Sequence, residues 1–344
     1  MRGGGIEALP FYPALPGLLL PWYQNNARPL PWRETRDPYR VWVSEIMLQQ
    51  TRVEAVLGYY ARFLHACPDV AALDSIQDDA LLRLWAGLGY YSRARNMKKA
   101  ARLIMEEHGG HFPGNIEGLR ALPGVGEYTA AAIGSICFAL KTPAVDGNVL
   151  RVVSRLAAWQ GEMTTVAVRR AVCQALASVC PSEAGAFSQA MMELGATVCL
   201  PNGAPLCAKC PIAGICAAHR LRRETAFPVK AEKKPRRAEE RTVLLLTLPD
   251  GRAALKKRPE RGLLAGLYEP PNELGSLTAQ QALSLAGEWG VQPLALISSR
   301  KRTHVFTHIE WRMTCYHIAC GREGSLAFLR PGDVALPGAF APFF

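Results

Sequence analysis

Four cysteines past the middle of the chain constrain the fold more than any other feature. Cys199, Cys207, Cys210 and Cys216 have the spacing C-x7-C-x2-C-x5-C. Thiolates this close in sequence typically hold a metal. Zinc in a four-thiolate site and a [4Fe-4S] cluster both fit these ligands, and the spacing does not separate them. Because no ligand position is left open for water, we expect a role in folding rather than in chemistry.

Residues 41–222 show the apolar spacing of helices, and the alternation typical of strands is nearly absent there. Short turns separate the apolar segments. The predicted helices cover residues 39–60, 78–85, 94–107, 128–139, 148–159 and 166–179. The first part of the chain is therefore predicted to be mostly α-helical.

The sequence changes character between residues 224 and 240. Lys230, Lys233, Lys234, Arg236 and Arg237 flank Pro235 there, which is poor material for a core. Strands are predicted at residues 242–248, 253–257 and 311–320, with a hairpin turn at 249–252. The chain is 49% hydrophobic, enough for two cores. We predict a helical domain at residues 1–223, a basic linker at 224–240 and an α+β domain at 241–344.

The charge balance favours a polyanionic partner. Forty Lys and Arg residues against 29 Asp and Glu give a net charge of +11 and a pI of about 9.3. Nucleic acid and a membrane surface both fit, and basicity alone does not decide. No uncharged apolar run reaches the ~18 residues of a membrane span. Prolines interrupt the apolar residues 11–22, so we expect no secretory signal and a soluble, intracellular protein.

A short glycine-containing segment precedes the predicted helix at residue 128. In Leu122-Pro123-Gly124-Val125-Gly126, two glycines allow a tight turn whose backbone N–H groups face outward at the positive end of the next helix. Such an arrangement binds phosphate, which would use Gly124, Val125 and Gly126. An ordinary helix-turn-helix connection is the alternative, and the pentapeptide alone does not decide between them.

Two carboxylates are predicted to lie in opposite environments. Glu45 falls in the apolar residues 41–48, where burial would raise its pKa and suit it to general acid catalysis. Asp146 resembles the N-cap of the following helix, whose N-terminus favours the ionised form. Breaking a bond between sugar and base needs a proton donor and a negative group. Taken singly, Glu45 also reads as a helix-contact residue and Asp146 as a plain cap.

Six segments together resemble the adenine DNA glycosylase (MutY) family, within the helix-hairpin-helix superfamily that includes endonuclease III. They are residues 30–33, 41–51, 87–96, 122–130, 145–149 and 187–199. The resemblance spans most of residues 30–216. It implies a helix-hairpin-helix glycosylase fold, and a [4Fe-4S] cluster rather than zinc at residues 199–216.

The resemblance also implies catalytic roles. Glu45 would protonate the adenine, Asp146 would stabilise the sugar cation or its covalent adduct, and Asn148 would be its neighbour. Tyr128 stands where the lyase branch resembling endonuclease III has a lysine. Because a tyrosine cannot form a Schiff base, we expect hydrolysis without strong strand cleavage.

Further residues are assigned to substrate binding by the same resemblance. Arg33 and Gln189 would line the adenine pocket, while Gln50 and Tyr90 would wedge into the base stack around the lesion. Extruding a base costs a few kcal/mol, and the gap needs filling. Outside the motifs, Gln50 and Tyr90 would read as ordinary surface residues.

In the second domain, residues 262–269 and Phe306-Thr307-His308 resemble the family's Nudix-like domain, which reads 8-oxoguanine opposite the adenine. No Arg-Glu-x-x-Glu-Glu run follows Glu269. A pyrophosphate-cleaving Nudix enzyme needs such clustered carboxylates for its metal ions, so we expect binding and no hydrolysis.

The chain departs from the family pattern in three places. The first cysteine gap holds seven residues where the family commonly has six, and residues 200–206 lack the usual basic side chains. We therefore expect the cluster loop to contact DNA less. Thr307 stands where relatives often have serine, which leaves open how strongly 8-oxoguanine is preferred over guanine.

The resemblance thus implies a monofunctional, monomeric glycosylase that excises adenine opposite 8-oxoguanine or guanine in double-stranded DNA. It would act in the cytoplasm, at the nucleoid if the source is bacterial. A bifunctional lyase like endonuclease III conflicts with Tyr128. A noncatalytic DNA-binding protein that senses mismatches or redox state would need the phosphate-binding turn and the cysteines, but not both Glu45 and Asp146.

Overall fold

A computed structural model describes residues 5–229 and 235–344 of the protein. The chain separates into two compact units, one formed by residues 1–74 and 96–232, the other by residues 75–95 and 233–344. Most of the basic side chains assigned to the linker, among them Lys230, Lys233 and Lys234, lie outside the described residues.

Helices dominate the chain up to residue 220. They are α1 Leu15–Asn26, α2 Pro38–Leu48, α3 Val53–Ala66, α4 Val70–Ser75, α5 Asp78–Trp85, α6 Ser92–His108, α7 Ile116–Ala121, α8 Glu127–Phe138, α9 Gly147–Ala157, α10 Val166–Ser178, α11 Ala184–Thr197 and α12 Ala217–Arg220. In the ranges covered by the structure, no helix is both long and apolar enough to span a lipid bilayer.

The helix predicted at residues 39–60 is wrong in one respect, because the structure has two helices there. Helix α2 ends at Leu48 and α3 begins at Val53. Between them Gln50 has a φ of 59°, in the left-handed region that no regular helix of L-residues contains. Apolar spacing continues across the break, so periodicity alone did not reveal it.

The large core of the first unit lies around α9, α10 and α11. The N-terminal segment, for which the sequence suggested no role, contributes to it directly. Leu15 and Leu19 of α1 are fully buried, and Phe11 and Tyr12 join the same cluster. Pro16 fits the first turn of α1, where a helix does not need the missing N–H.

The second unit contains a mixed sheet with the strand order β6-β7-β1-β2-β8. Its strands are β1 Arg237–Thr247, β2 Ala253–Ala254, β3 Lys256–Lys257, β4 Tyr268–Glu269, β5 Asn272–Leu274, β6 Pro293–Val305, β7 Ile309–Cys320 and β8 Phe328–Leu329, with helix α13 at Ala279–Glu288. Strand β1 runs parallel to β7, whereas β6 runs antiparallel to β7 and forms one edge. The predicted helical region followed by an α+β region is confirmed.

Two features of the second unit differ from the prediction. Strand β1 begins at Arg237, so residues 237–240, assigned to the linker, pair with β7 instead. Strand β6 was not predicted at all. All its residues are exposed or half-buried, so it lacks the alternation of buried and exposed residues that marks a strand on a core.

Candidate active site

One cavity of about 840 Å3 in the first unit brings together residues that are far apart in sequence. Its volume lies within the range of about 300–1,000 Å3 typical of small-molecule sites. Nine of the predicted site residues line it, namely Arg33, Glu45, Gln50, Gly124, Gly126, Tyr128, Asp146, Asn148 and Gln189.

Glu45 lies on α2 and only 6% of it is exposed. The apolar stretch around it does bury almost every face of the helix, as predicted. The hydroxyl of Tyr128 donates a hydrogen bond to its Oε2 at 2.6 Å. Burial raises the pKa of Glu45 to about 7, although the Tyr128 hydrogen bond lowers it and the nearby Asp146 raises it further. Near neutral pH this carboxyl is therefore partly protonated, so it can donate a proton and take one back.

Asp146 is the N-cap of α9, as predicted. Its Oδ1 accepts from the backbone N–H of Val149 at 2.8 Å, and its Oδ2 accepts from Nδ2 of Asn148 at 2.7 Å. The expected low pKa is wrong. Burial raises the pKa of Asp146, and it outweighs these hydrogen bonds, which lower it. The reason is that the helix begins in the wall of the cavity and not in open water.

Asn148 is held in turn by Arg151, a residue that the sequence did not indicate. The Nη2 of Arg151 donates to Oδ1 of Asn148 at 2.7 Å, and its Nε donates to the backbone carbonyl of Cys199 at 2.9 Å. This fixes which end of the Asn148 amide faces Asp146. The side chains thus connect Asp146 to the cysteine segment.

A buried carboxylate, Glu193, also lines the cavity and was missed. It accepts from Nε and Nη2 of Arg28, both at 2.8 Å, and from Nη2 of Arg33 at 2.7 Å. Burial alone would raise its pKa, but these bonds lower it to about 2. Glu193 is therefore charged at neutral pH and holds Arg33 in place. The apolar residues around it on α11 are the same signal that identified Glu45.

Gln189 lies near Arg33 in the same wall. The hydroxyl of Tyr23 donates to its Oε1 at 3.2 Å, and the Arg33 guanidinium carbon lies 5.5 Å from the centre of the Tyr23 ring. The structure therefore brings the two predicted adenine-pocket residues together. Tyr23, from the N-terminal helix, completes this part of the wall.

The two predicted wedge residues share an unusual backbone conformation. Gln50, exposed at the cavity, has a φ of 59°, and Tyr90, in the second unit, has a φ of 46°. Such values are uncommon outside glycine and tend to occur at functional sites. Tyr90 is 48% exposed, and its hydroxyl lies 3.1 Å from Oγ1 of Thr307.

The glycine-containing turn lies between α7 and α8. Gly124 has a φ of 80°, and a Cβ there would lie 2.7 Å from Cβ of Asn96, so no other residue fits. The N–H of Val125 donates to the carbonyl of Leu122 at 3.0 Å. The Val125 amide is therefore occupied, and phosphate binding stays a prediction for the amides of Gly124 and Gly126.

The four predicted metal-ligating cysteines line one small cavity beside α9. Burial raises the pKa of Cys207 to about 11 and of Cys210 to about 12, and the neighbouring cysteines add to both shifts. Nη1 of Arg155 donates to Sγ of Cys199 at 3.1 Å. Four half-buried sulfurs in one cavity are the donor set that a thiophilic metal centre needs. The residues fit either metal centre considered above.

The predicted lesion-reading residues form the turn between β6 and β7. Phe306 packs edge-on against His304 and Trp311, with ring centroids 4.6 and 4.8 Å apart. Thr307 and His308 are exposed at the tip. The Thr307 hydroxyl lies within hydrogen-bond distance of the Tyr90 hydroxyl, and the exposed imidazole of His308 can contact a ligand.

Glu269 has a different role. It is buried and pairs with Arg258 and with Lys256, the latter at 3.8 Å. Its carboxylate is thus used by basic side chains within the second unit.

Residues 43–177 match the HhH-GPD superfamily base excision DNA repair protein family, and residues 242–343 match the NUDIX domain. The chain is 36% identical to the adenine DNA glycosylase of Homo sapiens, over 93% of this chain and 69% of that protein. For the adenine DNA glycosylase of Rattus norvegicus the identity is 37%, over 93% and 72%.

Solved structures agree with this fold. A thermostable thymine-DNA glycosylase superposes with a TM-score of 0.56 at 27% identity, covering 61% of this chain and 97% of that one. Endonuclease III in a trapped covalent DNA intermediate has a TM-score of 0.53 at 22% identity, covering 61% and 95%. The predicted helix-hairpin-helix and Nudix-like folds are confirmed.

Proposed function

Because this chain belongs to the adenine DNA glycosylase family, we propose that it excises adenine mispaired with 8-oxoguanine or guanine from double-stranded DNA. As a member of that family it is a base excision repair glycosylase, a hydrolase of N-glycosidic bonds. The observation that carries the proposal is one cavity that holds Glu45, with its pKa of about 7, beside the hydrogen-bonded Asp146.

The two carboxyls divide the reaction between them. With the adenine turned out of the helix into the cavity, Glu45 transfers its proton to a ring nitrogen. The bond from C1′ to the base breaks, and its electron pair leaves with the neutral adenine. The Asp146 carboxylate, oriented by Asn148 and the Val149 amide, stabilises the positive charge on the sugar. Water then adds to C1′ and loses a proton to the Glu45 carboxylate.

Tyr128 supports hydrolysis without strand cleavage. A lyase needs an amine that attacks C1′ to form a Schiff base. Tyr128 has no amine, and its hydroxyl donates a hydrogen bond to Glu45. In this reading Tyr128 positions the Glu45 carboxyl and sets its acidity.

Base recognition would use both units. In the first, Arg33 and Gln189 contact adenine, and Glu193 holds Arg33 in its place. Gln50 and Tyr90 would fill the gap that the flipped base leaves. In the second unit, Phe306, Thr307 and His308 would contact the 8-oxoguanine opposite.

We propose that Cys199, Cys207, Cys210 and Cys216 hold a [4Fe-4S] cluster. Such a cluster would tie residues 199–216 to one another, and the hydrogen bonds of Arg155 to the sulfur of Cys199 and the carbonyl of Leu200 join this segment to α9. Its role is to stabilise the fold. No step of the reaction above uses it.

The test is a single-turnover incubation with a duplex that carries one adenine opposite 8-oxoguanine. Free adenine is measured, and strand breaks are counted before and after alkali. We expect adenine release, with breaks only after alkali. Immediate breaks would show a lyase, and intact adenine with bound DNA would show a binding protein; either result contradicts the proposal.

A further inference from the structure

Strand β6 carries a row of basic side chains on one face. In the ladder with β7, Arg300 lies opposite Cys315, Arg302 opposite Met313 and His304 opposite Trp311. Directly opposed residues share a face of the sheet. These three residues of β7 are buried in one hydrophobic cluster. Arg300 and Arg302 lie at the exposed edge of that same face.

The two arginines have no carboxylate partner within the parts of the chain that the structure describes. Glu239, which shares this face on β1, is bound instead by Arg237, Arg241 and the indole N–H of Trp311. Burial and the nearby Arg302 lower the pKa of His304, so the row owes its charge to the arginines. The row therefore presents uncompensated positive charge to solvent.

The row leads straight to the turn of residues 306–308. Because Arg300 and Arg302 are two residues apart on one strand, their Cα atoms lie about 6.6–6.8 Å from each other along the edge. A DNA strand is a regular line of negative charge, and the planar guanidinium group suits phosphate oxygens. The charge, the spacing and the position beside this turn all fit a DNA backbone.

We propose that Arg300 and Arg302 bind backbone phosphates of the DNA strand whose base is read by Phe306, Thr307 and His308. This inference rests on the proposed function. These contacts add affinity and position the protein along the DNA without reading its sequence, because phosphates carry no sequence information.

Lys301 is a matched control. It lies opposite Thr314, on the face of the sheet that packs against α13.

The experiment compares full-length wild type, Arg300→Gln/Arg302→Gln and Lys301→Gln. The Kd for a duplex with adenine opposite 8-oxoguanine, and for an undamaged duplex of the same length, is measured across a range of salt concentrations. Each phosphate contact contributes about 0.9 to the slope of log affinity against log salt. We expect the double variant to lose about 1.8 of slope, with an unchanged ratio between the two duplexes. Lys301→Gln should match wild type.

The outcomes distinguish a failure of the phosphate contacts from a failure of the proposed function. If wild type releases adenine but the double variant has the slope of Lys301→Gln, the phosphate contacts are refuted. A loss of slope in Lys301→Gln half as large as in the double variant would refute them too, because each removed charge would then have the same effect on either face of the strand. If wild type neither binds the duplex nor releases adenine, the proposed function itself fails. Equal unfolding midpoints of the three proteins establish that the exposed substitutions leave the fold intact.

Discussion

Burial pushes the pKa of both Glu45 and Asp146 upward in the same cavity. The two carboxylates differ in the hydrogen-bond donors that contact them. Asp146 accepts from a backbone amide and from Asn148, which favour its charged form, whereas Glu45 accepts one hydroxyl, from Tyr128. Local hydrogen bonding therefore distinguishes the proposed proton donor, Glu45, from the proposed stabiliser of the cation, Asp146.

Asp146→Asn should slow adenine release by at least about a hundredfold, the usual effect of removing one electrostatic contact to a charged transition state. Asparagine still caps a helix, so α9 and the fold should survive. Single-turnover rates and mismatch affinity are to be measured together. Unchanged turnover would contradict the assigned role, and lost affinity would point to a folding defect.

The rate of adenine release should depend on pH through Glu45. The protonated form is the acid, so the rate should be high below the pKa of about 7 and fall as pH rises above it. In Tyr128→Phe the hydrogen bond that lowers this pKa is lost, so the falling limb should move to higher pH. Single-turnover rates between pH 5 and 9 measure this shift. A limb that stays in place would show that Glu45 is not the group observed.

The sequence predicted the burial and raised pKa of Glu45 and the N-cap position of Asp146, but it did not predict the raised pKa of Asp146. The apolar neighbours of Glu45 bury it within its own helix, which is local information. The N-cap role of Asp146 is local too, but its burial comes from the cavity wall and so from tertiary structure. Glu193 could have been found by the argument used for Glu45, whereas its pairing with Arg28 and Arg33 joins residues about 160 positions apart.

At the scale of structural elements, the turn between α7 and α8 depends strictly on one glycine. Gly124→Ala should destabilise the protein by about 1–3 kcal/mol, because alanine would be strained at a φ of 80° and would collide with Asn96. Gly126→Ala is the control, since its φ is −87° and a Cβ there meets nothing within 4 Å. Denaturant unfolding and DNA affinity are the measurements. Equal stability of the two variants would refute this account of the turn.

Sequence patterns located most helices and missed elements whose signal is not local. Residues of α8, α9 and α10 follow the predicted ranges within two positions. Strand β6 was missed because its charged residues face solvent along an edge, and its pairing partner β7 supplies the buried face. The break at Gln50 was missed because a single left-handed residue does not disturb apolar spacing.

At the scale of the whole molecule, the two units have separate hydrophobic cores. If the cysteines hold the proposed cluster, Cys207→Ser should lower both the iron content and the unfolding midpoint of the first unit, because a bound metal centre stabilises only the fold that holds it. The unfolding midpoint of the second unit should not change. Calorimetry with iron analysis measures both, and Cys315→Ser, in the other unit, controls for the loss of a thiol. A variant that keeps its midpoint and loses only DNA affinity would contradict a folding role.

The packing of α1 also bears on how the protein is made. Leu15 and Leu19 can pack against α11 only after it has been synthesised, roughly 180 residues later in the chain. At ~5–20 residues per second, a ribosome needs ~10–40 s to reach that point. Until then the first helix emerges with its apolar side uncovered. A chain that stalls before α11 would therefore expose an unpacked apolar helix and be prone to aggregate.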